Sequence, residues 1–369
     1  MQLQPIRSRS RLSRAPNPVC LLLAALVLAL PAVARAQLSP STVPPRAPLF
    51  DVSHLPREGL GPVGFAFRRW LTLNGNRAFV LVGPDSAVYT SEQPSAAAAE
   101  AEALQLCARR NEGACRLYAS NWELKLPGAP AMTPPPAPAG IDGAGWRAHP
   151  APNLWRWGPE RATGVVLWLH GYGGQVTDLR GGPLPSVLNR FVIAGYDIWR
   201  LDREPATDGF PTRNRAQLTE AVTRLKRLGY RHLVAAGHSY GGWISLDGLA
   251  SGLAIDGVIA ASPARHGRMD DAWADRRIAA RDDYVDLMRS LAPTSASLAI
   301  VLPTEDPWDP DVAWRRGTAE AWLARRPGST LVITPPGDHG AVFGVAMNDR
   351  FGGCLVQTMI ARGQGIVAC

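Results

Sequence analysis

A serine hydroxyl becomes a useful nucleophile only when it is lifted clear of the backbone and given a base, and one segment of this chain has the residues for that. Gly237-His238-Ser239-Tyr240-Gly241 has the G-x-S-x-G spacing, follows an apolar run at 232–236 and opens a helical stretch. Flanking glycines let neighbouring backbone approach closely, while the serine sits in a tight, strained strand-to-helix turn that raises Oγ above the sheet edge. Such a serine attacks acyl carbons. Three fixed positions in five residues also describe an ordinary glycine-rich turn, so the motif needs company.

It has company upstream. Leu169-His170-Gly171-Tyr172-Gly173-Gly174 ends an apolar run at 165–169, and its glycines allow a loop whose N–H groups face a reacting carbonyl. HGYGG and GHSYG, in this order and on these strands, resemble the oxyanion loop and nucleophile elbow of the α/β-hydrolase fold. The resemblance covers residues 146–369 and points to an exported esterase-like member carrying a small N-terminal domain. It implies an oxyanion hole made by the main-chain N–H groups of Tyr172 and Tyr240, and a triad completed downstream by an acid and then a histidine. Pro303-Thr304-Glu305-Asp306-Pro307-Trp308-Asp309, after a strand at 298–302, resembles the acid loop. Asp306 is the matching position and Asp309 the alternative. His339, in Pro335-Pro336-Gly337-Asp338-His339-Gly340 after the strand at 330–334, stands where the base belongs.

The other histidines fit less well. His170 and His238 lie inside the glycine motifs and read as supporting residues; His54 and His149 are in linker-like sequence, and His232 begins a strand. His266 precedes Asp306, which breaks the family order. In the expected mechanism His339 takes the serine proton and returns it to the leaving group, while Asp306 fixes the imidazole tautomer. The leading reading is a carboxylic-ester hydrolase acting on a small-molecule acyl substrate. The same groups serve a serine peptidase or amidase, and a non-catalytic envelope binding protein that kept the fold is a third reading. Arg200 and Arg203 follow a strand on the same edge and are candidates to meet an anionic substrate group, or salt-bridged loop ends.

Composition removes other classes. The formal charge is +8, but Arg7, Arg9, Arg11, Arg14 and Arg35 lie in the first 36 residues, where there is no acid. The near-neutral remainder gives no electrostatic case for nucleic-acid binding. Lys125 and Lys226 are the only lysines and neither follows a glycine-rich run, which excludes P-loop chemistry and disfavours a Schiff base. There is no H-E-x-x-H and no C-x-x-C, so neither a metal nor a cofactor is expected.

The elements that must position these residues follow from the chain's punctuation. Residues 1–36 read as a signal peptide: arginines, an apolar run at 19–30 too short for the ~20 residues of a span, and Ala34-Arg35-Ala36 before a cut at Gln37. The mature protein is then expected to be secreted or periplasmic, with no membrane span, and the partner of its N-terminal part stays open. Cys107, Cys115, Cys354 and Cys369 remain, with pairing of sequence neighbours favoured among three connectivities. An extended lead-in is expected over 37–60 and a small disulfide-bearing α+β domain over 61–126, with strands at 77–82, 87–90 and 115–120 and a helix at 94–110. A Pro/Gly-rich linker spans 127–145. From 146 to 369 short buried strands alternate with helices, predicting an α/β domain with a mostly parallel sheet covered on both faces and its site along the carboxyl edge. The insert 263–296 is either a cap, with Trp273, Ile278, Val285, Met288 and Leu291 as its apolar inner face, or a surface helix. A chain begun near Trp146 keeps every motif and is expected to fold alone if Cys354 pairs with Cys369.

Overall fold

A computed structural model describes residues 48–50, 55–110, 114–129, 133–269, 274–309, 311–360 and 365–369. The signal peptide, most of the lead-in and Trp273 lie outside the described residues. Where an extended lead-in is expected, Pro48–Phe50 and Pro56–Gly59 are 3-10 turns, and Leu49 and Leu55 are buried. Helix α1 (Pro62–Trp70) follows, started by a proline in its first turn, where a missing N–H costs nothing.

The next segment is a small antiparallel sheet with one helix. It comprises β1 (Asn76–Val82), β2 (Ser86–Gln93), α2 (Ala96–Arg110), β3 (Cys115–Ser120) and β4 (Glu123–Leu124), in the spatial order β2-β1-β3-β4. Alternation along β1 sends Ala78, Val80 and Val82 to Ala99, Ala103 and Cys107 of α2, and Phe79 and Leu81 to the opposite face. Cys107 bonds Cys115 and Cys354 bonds Cys369, the neighbour pairing. The second bridge ties down the carboxyl end across 15 residues, worth about 3 kcal/mol by loop entropy.

Beyond residue 133 the chain builds one nine-stranded sheet. Its elements are β5 (Ile141–Gly143), β6 (Trp146–Pro150), β7 (Gly164–Leu169), α3 (Leu188–Ile193), β8 (Tyr196–Arg203), α4 (Pro211–Arg227), β9 (Leu233–His238), α5 (Tyr240–Ala250), β10 (Gly257–Ala261), α6 (Ala274–Leu291), β11 (Ser297–Val301), α7 (Val312–Leu323), β12 (Ser329–Ile333), α8 (Val345–Ile360) and β13 (Gly365–Ile366). The order is β13-β12-β11-β10-β9-β7-β8-β6-β5, parallel from β13 to β8 and antiparallel at β6 and β5. This is the α/β-hydrolase fold. β5, within the segment expected as linker, pairs with β6 as the edge strand.

Strands buried on both faces need apolar residues at every position, and β7 shows why. Val165, Leu167 and Leu169 belong to a core that α4, α5, α6 and α7 complete; Val166 and Trp168 belong to one that α3 and α8 complete. The second of these cores also holds Phe67, Trp70, Phe79, Tyr118 and Trp122, so residues 62–126 and the large sheet share one apolar cluster. The segment considered as a cap is, over α6, the crossover from β10 to β11: Tyr284, Met288 and Leu291 pack into the core and Ile278 is exposed. Among the described residues no helix is long and apolar enough to cross a membrane.

Candidate active site

Register brings the carboxyl ends of the central strands level. Leu169 pairs with Gly237, His238 with Ala261, Ala261 with Val301 and Val301 with Ile333. The segments that follow carry, in order, the 170–174 loop, Ser239, Ser262, Asp306 and His339, all at one edge.

Ser239 joins β9 to α5 at φ 54°, a left-handed conformation that is uncommon outside glycine and recurs at functional turns. Its neighbours hold it there: Ser239 N–H donates to Ala261 O at 2.8 Å, and Ser239 O accepts from Trp243 N–H at 3.0 Å. The two motif glycines are required by contact. A Cβ on Gly237 would lie 2.4 Å from the Gly241 carbonyl carbon, and one on Gly241 would lie 2.4 Å from His170 O and Leu169 O. Backbone cannot yield such distances cheaply, so no side chain fits at either position.

His339 donates through Nδ1 to Asp306, with both carboxylate oxygens 2.8 Å from the nitrogen, leaving the lone pair on Nε2. Asp306 is 2% exposed and also accepts from Trp308 N–H at 2.9 Å. Asp309 faces elsewhere, in a buried ion pair with Arg315, which also donates to Pro263 O at 2.9 Å. Burial, together with the nearby Asp306 charge, pushes the Asp309 carboxyl up against the pull of Arg315. The two acids should therefore separate on substitution. Asp306→Asn is expected to cut turnover per folded molecule by on the order of 10⁴-fold, whereas Asp309→Asn, which strands Arg315, should cost stability, about 3–5 kcal/mol. Parallel kinetics and urea unfolding check this; a turnover defect confined to Asp309→Asn would transfer the role.

His238, which reads from sequence as a supporting residue, contacts His339, and so do Ser262 and Trp308, which the sequence does not single out. The His339 ring stacks on Trp308 at 4.5 Å and 27°, and the His238 ring is 4.7 Å from it at a tilt of 57°. His238 Nε2–H donates to His339 O at 2.7 Å and Ser262 Oγ–H to the same oxygen at 2.9 Å. Ser262, at φ 48°, follows β10 as Ser239 follows β9. In the sequence Trp308 is no more than a residue of the acid loop, between Pro307 and Asp309. Among the described residues three other histidines have other partners: His149 Nε2 is 3.0 Å from Asp202, His266 Nε2 is 2.9 Å from Asp283, and His232 Nδ1 is 3.1 Å from the Tyr196 hydroxyl; His54 lies outside the described residues.

The two arginines considered for an anionic substrate group are buried. Arg200 contacts Asp202 and donates to Gly182 O at 2.7 Å, and Arg203 donates to Asp208 at 2.7 Å.

Burial pushes the imidazoles of His170 and His238 down to about 4, with the Arg203 charge adding to the first and His339 to the second. Unfolded, each titrates near 6.5. Between about pH 6.5 and 4 the unfolded chain binds protons that the folded chain does not, so stability is full above that window and falls as pH drops through it. His170, the more deeply buried, accounts for on the order of 3 kcal/mol. The urea midpoint should fall steadily from pH 7 to pH 4; a flat midpoint would contradict two neutral buried imidazoles.

No protein-family model matches the sequence, and no curated protein does. Among solved structures the chain is similar to Est1E from Butyrivibrio proteoclasticus, at 18% identity over 61% of this chain and 100% of that one, with a TM-score of 0.42. It is also similar to an esterase of Pyrococcus furiosus, at 16% over 54% and 83% with a TM-score of 0.40. A third is the acylaminoacyl peptidase of Pyrococcus horikoshii, at 14% over 60% and 40% with a TM-score of 0.43. Likeness at this level says nothing of what this chain acts on.

Proposed function

We propose that the protein is an exported serine hydrolase of carboxylic esters, with Ser239 as nucleophile, His339 as general base, Asp306 as its orienting acid, and the amides of Tyr172 and Tyr240 as oxyanion donors. The observation that carries the reading is the Asp306–His339 pairing at the same sheet edge as a serine held at φ 54° between strand and helix. Ser239 Oγ attacks the acyl carbon as His339 Nε2 takes its proton. The bond to the leaving alcohol breaks as that proton passes to the alcohol oxygen. Water, losing a proton to the same nitrogen, attacks the acyl-serine; the carboxylic acid leaves and Oγ regains its proton. Asp306 keeps Nδ1 protonated and stabilises the imidazolium that forms in each half-reaction. Export is supported by the arginine-then-leucine start of the sequence and by two disulfides, which persist in oxidising compartments.

Fluorophosphonate labelling with peptide mapping tests the nucleophile without knowledge of the substrate. The label is expected on the peptide containing Ser239, and label elsewhere or none at all refutes the reading. An ester and an anilide of one acyl group then test the leaving-group preference. Equal kcat/KM for the two would favour an amidase or peptidase on the same groups.

A further inference from the structure

We propose that Arg203 is a positioning residue for the oxyanion hole: its buried guanidinium orients the Gly171–Tyr172 peptide so that the Tyr172 N–H faces the reacting carbonyl. The proposal rests on Ser239 being the nucleophile and adds a residue to that site.

Arg203 ends β8, the strand beside β7, and Leu169 pairs with Leu201, so its side chain meets the loop that leaves β7. The side chain is wholly buried. Its Nη2 donates to His170 O at 2.7 Å and to Gly171 O at 3.2 Å, while Nε holds Asp208 Oδ1 at 2.7 Å. The Arg203 main chain acts on the same loop. Its N–H donates to His170 Nε2 at 2.9 Å, which assigns the imidazole proton to Nδ1, and Nδ1 donates to Gly171 O at 2.7 Å.

Gly171 O thus accepts from two groups that Arg203 supplies or orients. No described peptide bond is cis, and in a planar trans peptide the N–H points opposite to the C=O. Fixing Gly171 O on the guanidinium side therefore aims the Tyr172 N–H to the other side. Gly171 itself lies against the elbow, where a Cβ on it would come within 3.3 Å of Ser239 Cβ. The residue that carries the second donor lies close by as well. The guanidinium sits 5.6 Å from the ring of Tyr240, and that ring is 5.8 Å from the ring of Tyr172. Asp208 closes the circuit by accepting from Gly209 N–H at 2.9 Å, and the Tyr172 ring lies over Gly209.

A buried ion pair is weak ground for stability in itself, since desolvation offsets its attraction. A positioning role predicts something that a stabilising role does not, a slower attack in molecules that remain folded. Arg203→Lys keeps a charge for Asp208 but loses the planar fork that reaches two carbonyls. Arg203→Met combined with Asp208→Asn removes the pair without leaving a lone buried charge. In full-length protein, each is expected to lower kcat for a p-nitrophenyl ester and the rate of fluorophosphonate labelling at Ser239 by about 10- to 100-fold, less than outright loss of a donor. KM should stay within about threefold, and unfolding in urea should remain cooperative. Folded variants labelled at the wild-type rate, or a raised KM at unchanged kcat, would overturn the proposal while leaving Ser239 as nucleophile. Wild-type protein that takes no label at Ser239 would overturn both.

Discussion

Ser239→Ala is expected to lower ester turnover by on the order of 10⁵- to 10⁶-fold, and His339→Ala by a similar amount. The double variant should be scarcely worse than either, because once the nucleophile or the base is gone the other has no partner to act with. The serine variant should fold as well as the parent. Ser239 makes no side-chain cap on α5, its φ of 54° is held by main-chain hydrogen bonds, and alanine keeps the Cβ around which the turn is packed. Activity lost together with a cooperative unfolding transition would be uninformative about chemistry, so both are measured on one preparation. A serine variant with most of the parental turnover would remove the mechanism.

The central sheet was legible because its strands are continuous apolar runs bounded by glycine, proline or charge, and only a doubly covered parallel sheet asks for that. The elbow was legible for a steric reason. Gly237 and Gly241 are glycines because backbone occupies the space of their side chains, and such a requirement leaves its mark in the sequence at fixed spacing. Helix α8 did not announce itself, because Gly352 and Gly353 interrupt its apolar stripe. A Cβ at Gly352 would meet Arg190 and Asn348 side-chain atoms at 2.5 Å, so its composition answers a packing need and not a helical propensity. The contacts that surround His339 were hidden for a different reason. His238, Ser262 and Trp308 reach His339 through contacts across 101, 77 and 31 positions of chain, and no local pattern encodes a partner that far away. Arg203 is legible only as one of two alternatives, a contact for an anionic substrate group or a salt-bridged loop end, and the structure makes it the second. Its burial depends on Asp208, a pairing that spacing along the chain left open.

A chain begun at residue 140, which keeps β5 and every motif of the proposed site, is expected to fail to fold, the reverse of what the proline-rich segment implies when read as a free hinge. The reason is the shared apolar cluster. Phe67, Trp70, Phe79 and Trp122 are buried against the same core that holds Val166, Trp168, Leu188 and Phe191. Truncating one such aromatic costs about 3–5 kcal/mol, and a domain has only about 5–15 kcal/mol to lose. Polar pairing crosses the same boundary. Asn189, fully buried, donates to Asn74 at 2.9 Å and accepts from Arg77 at 3.1 Å, and Asn348 donates to Thr72 O at 3.1 Å. Arg77 in turn stacks on Trp122 at 4.3 Å, with burial pulling its guanidinium down to about 9. Removing residues before 140 exposes α3 and α8 to water along an apolar face and strips Asn189 and Asn348 of these partners. The short chain should be recovered as aggregate, or as a species that binds a hydrophobic dye and lacks a cooperative melt. A monomeric short chain melting within a few degrees of the mature protein would show that the cluster, although continuous, is energetically divisible near residue 140.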